Sequence, residues 1–268
     1  MMIGCLAGAV RRARPCLSLA RLRRAAGWLA PAMLLAMPAT AGIEDMTDGE
    51  RAAFRAEVRA YLLDNPEVLM EAIAELERRQ ADEQADRQGD AMAANREAIF
   101  ADPADYAGGN PDGDITLVEF MDYRCGYCRR AFPAVEELIE TDGDIRFVVQ
   151  EFPILGPESV AAARFAIATL QTRGADAYEA VHAALMSHRG AMDDAAFRAI
   201  AEGAGLDYAP IAARAGTDDV QAVIDDNMAL AQSLGITGTP TFILEDRMIR
   251  GFLPLEGMRE AVAEQRAD

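Results

Sequence analysis

Ile115-Thr116-Leu117-Val118-Glu119-Phe120-Met121-Asp122-Tyr123-Arg124-Cys125-Gly126-Tyr127-Cys128 decides the reading of this chain. Ile115 to Met121 has the β-branched and aromatic composition of a strand, and Arg129 to Glu140 has the apolar spacing of a helix. A cysteine pair with two residues between its members therefore lies at a strand-to-helix junction. Unpaired N–H groups and the helix dipole favour an anion there, so the Cys125 thiol is expected to ionise more readily than a free one. The thiolate is the form that attacks disulfides.

Downstream, Asp142-Gly143-Asp144 reads as a turn and Ile145 to Phe152 as a second strand, which completes a βαβ unit. Ser159 to Leu234 carries helical patterns only, at Val160–Leu170, Ala175–Met186, Asp193–Ala204 and Asp218–Leu234. Strand patterns return at Thr241–Leu244 and Met248–Phe252, joined through Glu245-Asp246-Arg247, and the helix Leu255–Glu264 follows. The fold class is α/β: one small mixed sheet with a helical insertion at about residues 157–235.

Upstream, Asp102 to Gly113 is rich in Asp, Gly and Pro and marks a boundary. Ile43 to Phe100 reads as helix. Thr47 and Glu50 fit a capping box, and Phe54, Val58, Tyr61 and Leu62 share one stripe. Asn65-Pro66 restarts the helix, and Val68, Leu69, Ala72, Ile73 and Leu76 continue the stripe. Glu77 to Arg96 is almost wholly polar, as a solvated helix or stalk would be. An amphipathic segment ahead of a complete domain needs a surface to cover its stripe; the main domain or a second copy would serve, and self-association through residues 43–96 is the expectation.

Residues 1–41 contain six arginines and no acid, then an apolar run of about a dozen residues and Ala39-Thr40-Ala41. That order reads as a cleaved export signal, and the apolar run falls short of the roughly twenty residues a spanning helix needs. The division is thus a signal over 1–41, a helical segment over 42–101, and the sheet domain over 102–268. Cleavage removes Cys5 and Cys16, leaving Cys125 and Cys128 as the only thiols, in an oxidising compartment, the periplasm. It also leaves 20 basic residues against 44 acids, moving the formal charge from −18 to −24. Such a balance, with no basic patch, argues against nucleic acid as a partner.

A C-x-x-C pair serves a redox site, half of a zinc site, or a structural bridge. Zinc needs two more ligands, and the two histidines, His182 and His188, read as surface residues of the helical block. A bridge spanning two residues constrains the unfolded chain too little to be worth the usual ~2–4 kcal/mol. Redox chemistry is the expectation, with no metal and no cofactor. A competing class is a module that holds Cu(I) between the two thiolates. Gly238-Thr239-Pro240-Thr241-Phe242 adds a second element, because a proline at a strand start can be cis and turn the Thr239 backbone toward the cysteines, where it can pair with an extended peptide.

The cysteine motif after Val118-Glu119-Phe120, the helical insert and Gly235-Ile236-Thr237-Gly238-Thr239-Pro240-Thr241-Phe242 together resemble the DsbA family of thioredoxin-fold thiol–disulfide oxidoreductases. Glu151-Phe152-Pro153-Ile154-Leu155-Gly156-Pro157 and the N-terminal helices further resemble the suppressor-of-copper-sensitivity C (ScsC) and Com1-like branch. The resemblance implies that Cys125 attacks, that Cys128 resolves, and that Glu119 is a buried acid moving protons to or from Cys128. It implies that Gly126, Tyr127, Thr239 and a cis Pro240 contact substrate. Its partners would be unfolded or misoxidised exported proteins and a membrane redox protein that recharges the dithiol.

Strong oxidants of the family resemble Cys-Pro-His-Cys, whereas Gly126-Tyr127 is the dipeptide of disulfide isomerases. Without the histidine, Cys125 relies on the helix terminus and on Arg124 or Arg129. Isomerase or reductase work by an oligomer is therefore expected ahead of oxidase work, with copper tolerance as a weaker implication.

Overall fold

The computed structural model describes residues 46–267, so the segment read as an export signal lies outside them. The chain divides into two compact units with the boundary at Pro66. In the first, helix α1 (Asp48–Asp64) starts at a Thr47 cap whose hydroxyl accepts from the Glu50 N–H, while the Glu50 carboxylate accepts from the Thr47 N–H at 2.9 Å. No residue of α1 is buried, and Phe54, Val58, Tyr61 and Leu63 are all exposed.

The second unit begins with the long helix α2 (Glu67–Ala94), whose Leu69, Met70, Ile73 and Leu76 are exposed and whose polar half is laced by Glu75, Arg78, Arg79 and Asp82. Its last turn and the short helix α3 (Arg96–Phe100) change character. Met92 and Ile99 are buried against one face of the sheet, so this compact body begins well ahead of Asp102. Arg146 and Gln150 donate to the carbonyls of Phe100 and Ala98 and tie that connection to the sheet.

The stretch expected to be a boundary contains a strand, β1 (Tyr106–Gly109). Among its four residues only Tyr106 favours a strand, and the conformation is imposed by antiparallel pairing to β3 (Ile145–Glu151). Between them come β2 (Ile115–Met121) and helix α4 (Gly126–Asp142), which ends on Gly143 in the left-handed region, φ 79°. Strands β2 and β3 run parallel, with Glu119 beside Val149 and Met121 beside Glu151.

The insert follows as five helices: α5 (Pro157–Arg173), α6 (Ala175–Ser187), α7 (Asp194–Gly203), α8 (Tyr208–Ala215) and α9 (Asp218–Ser233). Helix α8 lies between the expected patterns because Pro210, acceptable within a first turn, reads in sequence as a breaker. The chain closes with β4 (Thr241–Leu244), β5 (Arg247–Arg250) and α10 (Leu255–Ala267), giving a five-stranded mixed sheet of order β1-β3-β2-β4-β5.

Alternation along the central strands sets the two cores. Leu117, Met121, Phe147 and Val149 face α4, α10 and the insert, while Val118, Phe120 and Val148 face Met92, Ile99, Leu230 and Leu234. Glu119 and Glu151 have the parity of the first set. Both carboxyls are therefore carried into the core on the side of α4.

Candidate active site at the start of helix α4

Three hydrogen bonds shape the turn between β2 and α4. Asp122, 1% exposed, accepts from the Arg124 N–H at 2.7 Å and from the Leu155 N–H at 2.9 Å, while its carbonyl accepts from the Cys125 N–H at 3.0 Å. One side chain thus fixes the cysteine turn and docks onto it the loop after β3. Leu155, half exposed beside this turn, was not singled out from the sequence.

Cys125 is the N-cap of α4, with extended backbone (φ −73°, ψ 118°) and its sulfur accepting from the Cys128 N–H at 3.5 Å. As a thiol it donates to the Thr239 carbonyl at 3.2 Å. Hydrogen bonding from the Cys128 thiol, then from the Thr239 side chain and from the N–H groups of Cys128 and Tyr127, outweighs burial and pushes the Cys125 thiol down to about 5. Cys128 is fully buried and moves the other way, raised by burial, by its hydrogen bond to Cys125 and by the charge of Glu119. The two sulfurs are unlinked. This polarity, one anion ready and one thiol locked, is what sequential thiol–disulfide exchange requires.

The other sequence-predicted residues gather around the pair. The Thr239–Pro240 bond is cis and precedes β4, with Pro240 buried and Thr239 half-buried. Gly126 and Tyr127 form the outer surface of the first turn, and Tyr127 is 61% exposed. Glu119 is 2% exposed, and burial followed by the negative charges of Cys125 and Glu151 raises its carboxyl to about 8. Its Oε1 has no hydrogen-bond partner. Arg124 and Arg129 make no hydrogen bond to Cys125. Arg124 pairs with Glu158 and donates to the Gly190 carbonyl, while Arg129 donates to the carbonyls of Tyr123 and His188. Both fasten the insert to the cysteine turn.

His182 corrects a sequence expectation. It is 6% exposed rather than a surface residue, because α6 is held between α4 and α5. Its Nδ1 lies 2.9 Å from the Tyr123 hydroxyl, which donates to Glu151 Oε1 at 2.8 Å; Tyr178 donates to the same oxygen at 2.7 Å. Burial lowers His182 to about 4 and raises Glu151 to about 8. His188 is half-buried and hydrogen-bonds the Ala191 carbonyl at 3.1 Å. Among the described residues no group of three or more His, Cys, Asp or Glu side chains is placed to hold a metal ion.

A thioredoxin-type sheet that presents a two-cysteine helix cap to a proline loop, with a helical insert closing one side, has the chemical parts for thiol–disulfide exchange. The chain belongs to the DSBA-like thioredoxin domain family, whose model matches residues 116–263. Residues 50–83 match a second model, the copper resistance protein ScsC N-terminal domain.

Among solved structures, a thioredoxin-like oxidoreductase from Silicibacter pomeroyi is 42% identical with a TM-score of 0.61, covering 65% of this chain and 99% of that one. Proteus mirabilis ScsC in a transitional conformation is 29% identical with a TM-score of 0.62, covering 84% and 98%. A curated relative, the Na(+)/H(+) antiporter NhaA 1 of Salinispora arenicola, is 30% identical over 164 residues, 59% of this chain. The chain spans about a quarter of the length of the curated relatives it matches. Among the described residues no helix is long and apolar enough to cross a membrane.

Proposed function

We propose that the protein is a periplasmic thiol–disulfide oxidoreductase whose Cys125 thiolate attacks disulfides of exported proteins and whose Cys128 resolves the mixed disulfide. The opposed ionisation of the two sulfurs at the cap of α4 carries this reading. Thr239, Pro240, Gly126, Tyr127 and Leu155 form the wall against which a substrate strand lies, with the Thr239 backbone as its hydrogen-bonding edge. Glu119 accepts the proton of Cys128 as that thiol attacks.

The reading favours isomerase or reductase work. The Cys125 thiol, pushed down to about 5, lies between the ~7 of thioredoxin and the ~3.5 of a strong oxidase, which supports an exchange catalyst less oxidising than the latter. The exposed apolar residues of α1 (Phe54, Val58, Tyr61) and, separately, of α2 (Leu69, Ile73, Leu76) support assembly of several copies through residues 43–96. Substitution of Phe54, Tyr61, Leu69 and Ile73 by glutamate touches no buried residue of either unit and so tests the point cleanly. The variant is expected to be monomeric and to lose refolding of scrambled ribonuclease while still reducing insulin. An unchanged mass, or full isomerase activity in a monomer, contradicts it.

The match of residues 50–83 to a copper resistance domain supports a second reading, in which the dithiol binds Cu(I). Stoichiometric copper binding without disulfide turnover would place it first.

A further inference from the structure

Two buried acids share the α4 face of the sheet. Glu119 and Glu151 lie two register positions apart on adjacent parallel strands, and each has one carboxyl oxygen without a partner, Oε1 of Glu119 and Oε2 of Glu151. An orphaned buried carboxyl oxygen costs about 1–3 kcal/mol, and two of them on one face are relieved together if a water joins the carboxyls. The other oxygen of Glu151 is where the Tyr123 and Tyr178 hydroxyls converge.

From there the contacts lead outward. Tyr123 Oη is within hydrogen-bond distance of both Glu151 Oε1 and His182 Nδ1, and its single hydrogen can serve only one of them at a time. His182 Nε2 takes no hydrogen bond from the protein. The ring lines a cavity of about 470 Å³ with Tyr106, Phe132, Glu136, Glu140 and Glu179. Exchangeable positions thus run from Glu151 through Tyr123 and His182 to the cavity, and Glu119 stands on the adjacent strand, on the same face as Glu151.

We propose that Glu151, Tyr123 and His182 are the proton outlet of the buried thiol Cys128, running from Glu119 to water in the cavity beside His182. The proposal rests on the reading of Cys125 and Cys128 as an exchange pair. In the resolving step the Cys128 S–H gives its proton to one oxygen of the neutral Glu119 carboxyl as the other oxygen releases one, and the electron pair left on sulfur forms the bond to Cys125 Sγ. The bond from Cys125 to the substrate sulfur breaks, and the substrate leaves as a thiolate. Glu119 passes the proton to Glu151; Glu151 gives one to Tyr123 Oη as Tyr123 gives its own to His182 Nδ1; His182 Nε2 releases one to cavity water. The three residues touch no reacting atom and act through Glu119.

The surroundings of Glu151 favour traffic of neutral carboxyls over a standing charge. Burial and then the charges of Asp122, in the turn, and Asp105, at the start of β1, raise it; Glu119 faces it from β2, and Tyr178 and His182 face it from α6. Asn227 of α9 donates to the Glu151 carbonyl and to Asp105, itself raised to about 7 by burial and then by Asp102. No cation meets the Glu151 carboxyl among the described residues.

The reduced protein is mixed with dithiodipyridine in a rapid-mixing instrument. Attack by Cys125 releases one pyridinethione and closure by Cys128 a second, so the two steps appear as separate phases. Tyr123→Phe is expected to slow the second phase ~10-fold near pH 6, to approach the wild-type rate as hydroxide takes over at higher pH, and to leave the first phase within about twofold. Tyr178→Phe removes a comparable hydrogen bond, 2.7 Å against 2.8 Å, to the same oxygen but leaves the route intact, so its second phase should stay within about twofold of wild type. His182→Ala should behave like Tyr123→Phe, and added imidazole, which fits the cavity, should restore its rate.

Equal slowing by Tyr178→Phe, or a second phase in Tyr123→Phe that superimposes on wild type near pH 6, overturns the outlet. A wild-type first phase no faster than that of a free thiol overturns instead the reading on which the outlet rests.

Discussion

Removing the Asp122 carboxyl should loosen the cysteine turn at a cost that the hydrogen bonds define. The carboxyl is almost fully buried and accepts two N–H groups, from Arg124 at 2.7 Å and Leu155 at 2.9 Å. A hydrogen bond to a charged acceptor contributes about 1.5–3 kcal/mol, but both donors belong to exposed residues, and water partly replaces the lost acceptor. Asp122→Ala should therefore lower the stability of the reduced protein by about 2–3 kcal/mol, and Asp122→Asn, which keeps one acceptor, by about half as much. The Cys125 N–H bond to the Asp122 carbonyl survives either change, so the helix cap persists while the turn before it loses its restraint. Urea unfolding gives the first quantity, and the pH midpoint of Cys125 alkylation, expected to rise, gives the second. A loss in Asp122→Ala below about 0.5 kcal/mol with an unmoved midpoint would refute the role assigned to this carboxyl.

The Cys125 thiol is lowered from 9 to about 5 in the folded state, so its contribution to the reduced form is present above the unfolded value and is lost as pH falls through 5. The oxidised form lacks it, and the stability of reduced relative to oxidised protein should decline steadily between those values when both are unfolded in urea. Glu119 has the opposite sign: with its carboxyl raised to about 8, the fold loses stability as pH climbs from 4.5 toward 8, and Glu119→Gln should gain on wild type across that window while its mixed disulfide resolves more slowly. Gly126 is the first residue of α4, and a side chain there meets no atom within 4 Å, so Gly126→Pro with Tyr127→His should fold. Each unit by which the new imidazolium lowers Cys125 should raise the reduction potential by about 30 mV, read by equilibration with glutathione. Arg266 donates to both Asp114 and Asp142 and joins α10 to the ends of β2 and α4; it is one-third exposed, and Arg266→Met should cost only ~1 kcal/mol in thermal or urea unfolding.

The parts of the fold legible in sequence are those whose residues state their own environment. Strand β2 matches its expected bounds from Ile115 to Met121, and α4 begins where the cysteine cap requires, three residues ahead of the apolar pattern that revealed it. What escaped depends on partners far along the chain. Strand β1 has one good strand former and exists because β3 offers it an edge. His182 sits among alanines in α6 and reads as surface, yet it is buried through Tyr123, 59 residues earlier. Glu151 falls within the Glu151–Pro157 motif, which by itself assigns it no role. Its parity with Phe147 and Val149 was the available signal that it points into the core beside Glu119, since residues two apart on a strand share a face.

Cys125 is the sulfur proposed to enter covalent exchange with exported proteins. In cells producing the full chain with Cys128→Ala, the attacking thiolate survives and the resolving step is lost, so disulfide-linked complexes should accumulate, dissolve on reduction, and map to Cys125 by mass spectrometry. Cys125→Ala should give none. Absence of such complexes from the Cys128→Ala protein, or linkage that persists without Cys125, would contradict the role of Cys125 as the attacking sulfur.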